Sequence, residues 1–363
     1  MPRKYAYDHL LLFITLVLTG IGAIMVYSAS AIIALEGKND SYYFLKKQLV
    51  FLFMGFVLMA IVMHFDYTRL RNLAVPFLFL SFIMLIAVLI PGLGLEKNGA
   101  RRWLNIFGFV FQPSELAKFS LVLYTAYSIS KRKEKIHDFF NGTLPLLIML
   151  GIFCMLIMLQ PDLGTVIVMA STTFLLLFAG GAKLRHLIYL VLASLPFLYF
   201  SILNVSYRRR RILAFLDPWS DQLDTGYQIV QSFLAFGSGG IWGTGIGEGK
   251  GKLFYLPWPH TDFIFSIIGE ELGFIGVSAV IFLFFTLIWR GIRISMNSRD
   301  LFGTFLSLGI TLLLGLQSAI NIGVTLGLFP TKGLPLPFIS YGGSSVVLSL
   351  FSVGVLLSIS DHA

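Results

Sequence analysis

Apolar runs of bilayer length recur along almost the whole chain, and they restrict its fold more than any other feature. A bilayer core takes about 20 apolar residues per helix. At that depth no water is present, so every backbone N–H and C=O must be paired within the protein. Ten runs meet the requirement, at roughly 10–35, 47–64, 73–91, 114–130, 144–160, 163–181, 185–204, 262–289, 302–328 and 344–360. Composition agrees: 56% of residues are hydrophobic and 12% are charged, where soluble domains carry about 25% charged residues. The expected fold is an all-α polytopic membrane protein with about ten transmembrane helices. It forms a single membrane domain over 1–363, with a long extracytoplasmic loop at about 205–261 between helices 7 and 8.

Several function classes lose support at once. Cys154 is the single cysteine and lies in an apolar run, so there is no disulfide framework. The six histidines are scattered without metal-ligand spacing, and no protein-built metal site is expected. The absence of an evident internal repeat gives little support to an inverted-repeat transporter. No nucleic-acid partner is expected. The first run follows Arg3 and Lys4 without a clear small-residue cleavage site, and reads as an uncleaved first span.

Lys and Arg divide evenly between the two sides of the membrane until the long loop is set aside. Long loops translocate largely regardless of charge. With it removed, the excess and the dense Lys131–Lys135 cluster place both termini in the cytoplasm. Arg101, Arg102, Arg208–Arg211, Lys250, Lys252 and Lys332 then gather on the outer face. Head-group anchoring explains any one of them. As a set they point to an anionic ligand, because arginine forks match phosphate oxygens bidentately.

Ionisable residues inside or beside the spans carry the functional signal. Asp262 lies in LPWPHTDFIFSIIGEELG (256–273), where a polar Pro-rich stretch becomes a long apolar helix. Such a residue is an acid or base at the boundary of water and lipid. Glu115 and Lys118 stand three apart near the start of helix 4, on one helix face. A structural ion pair is the favoured reading for them, with direct chemistry as the alternative. Asp162 follows Pro161 at a helix junction and reads as an N-cap or a ligand. Of Glu270 and Glu271, one is expected to pair with a neighbour.

The long loop is not filler. Tyr227–Phe236 reads as a short amphipathic segment on the bilayer surface. The glycines at 243, 245, 247, 249 and 251 do not fit a phosphate-binding loop, which needs GxxxxGK followed by Ser or Thr. They fit tight turns and close backbone approach. The 329–345 stretch, FPTKGLPLPFISYGGSS, is too rich in Pro and Gly for a regular helix and reads as a re-entrant or surface loop lining a cavity.

In order along the chain stand NGARRW, QPSELAK, QPDLGT, RRRRILAFLDPW, GYQIVQS, HTDFIF with GEELG, and TKGLPLPFISYGGSS. Together these resemble the SEDS family of bacterial membrane proteins (shape, elongation, division and sporulation). The likeness spans nearly the whole chain, and TKGLPLP is closer to the division-type members than to the elongation-type ones. It implies a peptidoglycan glycosyltransferase of the bacterial cytoplasmic membrane that polymerises lipid II on the outer face during cell division. Lipid II is the undecaprenyl-pyrophosphate-linked disaccharide peptide.

The family's proposed catalytic aspartate falls on Asp262, its ion-pair and cavity positions on Glu115, Lys118 and Asp162, and its loop arginine on Arg102. Lys332 and Ser344 complete the candidate substrate-binding set. The resemblance also implies a class B penicillin-binding transpeptidase and other division-complex membrane proteins as partners. It leaves room for a divalent cation (Mg or Mn). One departure is Trp258, where the family often carries an acidic residue.

The residues fit this chemistry on their own terms. Glycan polymerisation needs a base for a sugar hydroxyl and cations for a departing pyrophosphate. Asp262 supplies the first; Arg102, the 208–211 run and Lys332 supply the second. Two other readings stay open, a lipid II flippase and a non-catalytic scaffold that recruits a transpeptidase.

Overall fold

A computed structural model of the protein describes residues 7–97, 99–106, 108–203, 206–222, 226–252 and 256–362. Helices stand in all ten apolar runs: α1 (His9–Lys38), α2 (Tyr43–His64), α3 (Leu70–Ala87), α4 (Pro113–Lys131), α5 (Leu144–Met158), α6 (Leu163–Ala179) and α7 (Leu184–Leu203), then α10 (Ile264–Asn297), α11 (Leu301–Thr325) and α12 (Gly343–Asp361). The shorter helices α8 (Ser206–Leu216) and α9 (Tyr227–Gly239) lie in the long connection. Among the described residues, seven helical stretches are long and apolar enough to cross a membrane by themselves, and α6 is a shorter apolar helix. The chain is a multi-pass membrane protein.

α4 explains why hydropathy alone undercounts. Its run from Pro113 to Leu123 is wholly buried, including Ser114, Glu115, Lys118 and Ser120. It packs against α3, α6 and α11, so its polar residues face protein and not lipid. α11 and α12 are likewise mostly buried. Small residues let the helices approach: a Cβ at Gly354 of α12 would press on the backbone of Met59 in α2, at 2.9 Å.

The expectation of an all-α chain needs one amendment. A three-stranded antiparallel sheet, β1 (Gly94–Lys97), β2 (Ala100–Ile106) and β3 (Phe109–Phe111), joins α3 to α4. The signal was present in the sequence. Lys97 pairs with Ala100 across an Asn-Gly dipeptide, and Gly99 takes φ 71°. Asn-Gly is a strong short hairpin signal, and its glycine takes positive φ without steric cost.

α10 is broken at Gly273, where φ is 65° and ψ −163°. The glycine-rich stretch fills the break. Phe274 N–H donates to Gly240 O at 2.9 Å, and Thr244 and Gly245 N–H donate to the carbonyls of Glu270 and Glu271 at 2.9 and 3.1 Å. Backbone groups freed by a broken membrane helix are thereby paired. A Cβ at Gly243 would overlap the Glu271 carbonyl, which bears out close backbone approach as the reason for glycine there. α9 is drawn further into the protein than a surface helix. Ile229, Val230, Ser232, Ala235 and Gly239 are buried, and Ser232 Oγ donates to Thr325 O at 2.6 Å while sharing a hydrogen bond with Ser266 Oγ.

Candidate active site

Two irregular segments meet at one end of the bundle. The first, 256–263, leads into α10; the second, 326–342, joins α11 to α12. Asp262 lies just before the first turn of α10, where the free N–H groups favour negative charge. Asp262 as a whole is half-buried, and its carboxylate backs onto the second segment: a Cβ placed on Gly333 would sit 3.1 Å from Asp262 Oδ2. The segments are tied at three points. Ser340 Oγ donates to Thr261 O at 2.6 Å, Tyr341 N–H donates to His260 O at 2.8 Å, and Asn321 Nδ2 of α11 donates to Asp262 O at 2.9 Å and to Leu334 O at 2.6 Å.

The electrostatics bring together the candidates that lay far apart in sequence. Burial pushes the Asp262 carboxyl up to about 6, although the charges of Arg211 and Arg102 pull it down; Asp162 pushes it further up. Burial lowers Lys332 to about 8, against the opposing pull of Asp162. Two carboxylates and three cations therefore share one site. Arg211 is held by Nη1 donating to Thr331 O at 2.9 Å. Arg102, on β2, donates from Nε to Gln160 O at 2.9 Å and from Nη2 to Pro161 O at 2.6 Å. Of the arginine run, Arg209 and Arg210 are exposed, and the Arg208 side chain lies outside the described residues.

The remaining candidates are engaged in structure. Asp162 is the N-cap of α6, accepting from Thr165 N–H at 3.1 Å and Thr165 Oγ1 at 2.9 Å. Glu115 and Lys118 form a buried ion pair at 2.8 Å. Lys118 Nζ also donates to Gln317 Oε1 at 2.5 Å, and Gln317 Nε2 donates to Pro335 O at 2.8 Å. The pair thus sits beneath the 326–342 segment and holds it. Ser344 Oγ accepts from Gln112 N–H at 2.9 Å, joining the first turn of α12 to the start of α4. His260 is buried between Phe44 and Tyr341, and burial lowers it to about 4, which keeps it neutral at pH 7. Trp258 is exposed, with φ 56°.

The two glutamates of α10 have separate employment. Glu271 pairs with buried Lys252 at 2.8 Å and accepts from Ser28 Oγ of α1. Glu270 accepts from the backbone N–H of Lys250 at 2.7 Å and of Gly251 at 3.0 Å. Gln317, Asn321, Ser340 and Gly333 were not singled out from sequence. Gln317 and Asn321, the two amide side chains of α11, stand four apart on one helix face, which was the available signal.

Among the described residues no three His, Cys, Asp or Glu side chains group to hold a metal, and both Asp162 oxygens already accept from Thr165.

Comparison with known proteins places the chain in a family. The family model for cell cycle proteins of the FtsW, RodA and SpoVE type matches residues 8–363. The probable peptidoglycan glycosyltransferase FtsW of Geobacter sulfurreducens (strain ATCC 51573 / DSM 12127 / PCA) is 49% identical over 356 residues, covering 98% of this chain and 95% of that protein. Stage V sporulation protein E of Bacillus subtilis (strain 168) is 44% identical over 361 residues, covering 99% of each. Rod shape determining protein RodA of Thermus thermophilus superposes with a TM-score of 0.73 at 30% identity, over 99% of this chain and 98% of that one. A chain from a structure on the coordination of polymerization and crosslinking by a peptidoglycan synthase complex gives a TM-score of 0.79 at 32% identity, over 98% of both. With a full-length family match and relatives this similar, the chain belongs to the FtsW/RodA/SpoVE family of cell cycle proteins.

Proposed function

We propose that this protein is the division-type peptidoglycan glycosyltransferase that polymerises lipid II at the outer face of the cytoplasmic membrane, with Asp262 as general base. The observation that carries the reading is one carboxylate at the mouth of α10, walled by Gly333 and raised to about 6, that feels Arg102, Arg211 and Asp162, with Lys332 beside Asp162. The unprotonated carboxylate takes the proton of an acceptor sugar hydroxyl as its oxygen attacks the anomeric carbon of the donor. The bond from that carbon to the lipid pyrophosphate breaks, and the pyrophosphate leaves with the bonding electrons. Arginine and lysine offset its charge. A departing pyrophosphate is stable as an anion, so no strong general acid is needed, unlike the two-carboxylate chemistry of glycosidases. No step here runs through a metal.

A relative that is a probable peptidoglycan glycosyltransferase supports the activity, and the solved synthase complex supports a transpeptidase partner. The charge distribution supports cytoplasmic termini. A flippase reading asks Glu115, Lys118 and Glu270 to meet cargo, whereas all three are buried in fixed contacts. The test is lipid II polymerisation by the purified protein with its transpeptidase partner. Glycan chains from wild type and none from folded Asp262→Asn support the base. Equal activity removes Asp262 from that role, and no product from either moves the reading to flippase or scaffold.

A further inference from the structure

We propose that Asn321 is a positioning residue that fixes Asp262 against the 331–342 segment, through a hydrogen-bonded stripe on α11 whose foot is the Glu115–Lys118 ion pair. The inference rests on the reading of Asp262 as the base.

Asn321 is buried, at 1% exposure. Its Nδ2 donates to two carbonyls from separate segments, Asp262 O at 2.9 Å and Leu334 O at 2.6 Å. Both partners are acceptors only, so the amide nitrogen and not the oxygen must face them. Its Oδ1 is buried with no hydrogen-bond partner among the described residues. Unsatisfied buried acceptors are rare and call for a reason. The double donation is that reason: one side chain spans the gap between the peptide of the base and the peptide next to Gly333, the residue that walls its carboxylate.

The residue is one member of a register. One turn earlier, Gln317 donates to Pro335 O at 2.8 Å and accepts from Lys118 Nζ at 2.5 Å. One turn later, Thr325 O accepts from Ser232 Oγ of α9 at 2.6 Å. Side chains four apart share a helix face, so Gln317 and Asn321 on one stripe of α11 grip the 331–342 and 256–263 segments, and the backbone carbonyl of Thr325 at the end of the helix holds α9. Lys118, ion-paired with Glu115, orients the Gln317 amide so that its nitrogen faces the loop. The intramembrane ion pair therefore acts on the site through α11, without touching Asp262. The contacts of Ser340 and Tyr341 fasten the same two segments at Thr261 and His260, but only Asn321 holds Asp262 itself among the described hydrogen bonds.

The test compares wild type with Asn321→Ala and Asn321→Leu, reconstituted with the transpeptidase partner, by steady-state lipid II polymerisation and by hydrogen–deuterium exchange. Misplacing a reacting group by about 1 Å costs on the order of 10²-fold in rate. The expected result is a kcat lowered about 100-fold with KM within about twofold, the signature of a lost transition-state interaction. Exchange is expected to rise in 256–263 and 331–342 and to stay at the wild-type level in the rest of the bundle. Gln317→Leu is expected to loosen 331–342 alone, with a smaller loss of rate. Unchanged exchange in both segments overturns the proposal, as does a uniform rise across the bundle or a loss confined to KM. If wild type itself makes no glycan, the polymerase reading fails, and the exchange pattern still decides whether Asn321 fastens the two segments.

Discussion

Asp262 owes its base character to burial working against nearby arginines. A carboxyl raised to about 6 is mostly ionised at pH 7 and accepts a proton more readily than an ordinary aspartate. Lys332, lowered to about 8, is mostly charged at the same pH. The proposed chemistry needs the first unprotonated and the second protonated. The rate at lipid II well below KM, kcat/KM, is therefore expected to be bell-shaped, rising through about pH 6 and falling through about pH 8. Lys332→Arg is expected to move the alkaline limb upward by keeping its charge, and a pH–rate series on both proteins checks this. Burial has a second consequence. A carboxyl whose folded value exceeds its unfolded value stabilises the protein only while protonated, so stability is lost as pH rises from 3.8 through about 6. At neutral pH, Asp262→Asn is expected to abolish polymerisation and to raise the unfolding temperature. A thermal melt beside the activity assay reads both.

At the scale of the element, the broken α10 shows how an unwound turn is kept in a membrane protein. Gly273 breaks the helix, and the 240–251 stretch supplies the missing backbone partners. Lys252 then lies against Glu271 and Ser28, joining this stretch to α1. Both members of the ion pair are buried. Removing one leaves the other charge uncompensated, which costs about 3–5 kcal/mol. Lys252→Met is expected to destabilise by that amount, and Lys252→Met with Glu271→Gln is expected to recover most of it. Reversible unfolding of both variants in detergent measures the difference. Less than about 1 kcal/mol for the single variant would show that water reaches the pair.

At the scale of the whole molecule, both termini are expected on the cytoplasmic side and the long connection outside. In a Cys154→Ala background, a membrane-impermeant thiol reagent applied to intact cells is expected to label Gln222→Cys. It is expected to label Lys133→Cys only after permeabilisation. The reverse pattern inverts the topology and moves the site to the inner face.

The ten spans were legible because the bilayer imposes one rule on every segment: enough consecutive apolar residues to cross, with the backbone paired within the protein. The hairpin of β1 and β2 was also written locally, in its Asn-Gly turn. Asp262 stood out because a carboxylate beside a membrane helix is costly without a partner or a use. The company it keeps was not legible. Arg102, Asp162, Arg211 and Lys332 come from four distant parts of the chain, and their shared field exists only once the helices pack. Glu115 and Lys118 could be paired from their spacing, but their hold on the 326–342 segment runs through Gln317, about 200 positions away. Local pattern determined the spans and marked the candidate base. Tertiary structure decided what holds that base, because hydrogen bonds and charge–charge terms depend on distance in space, which sequence separation does not record.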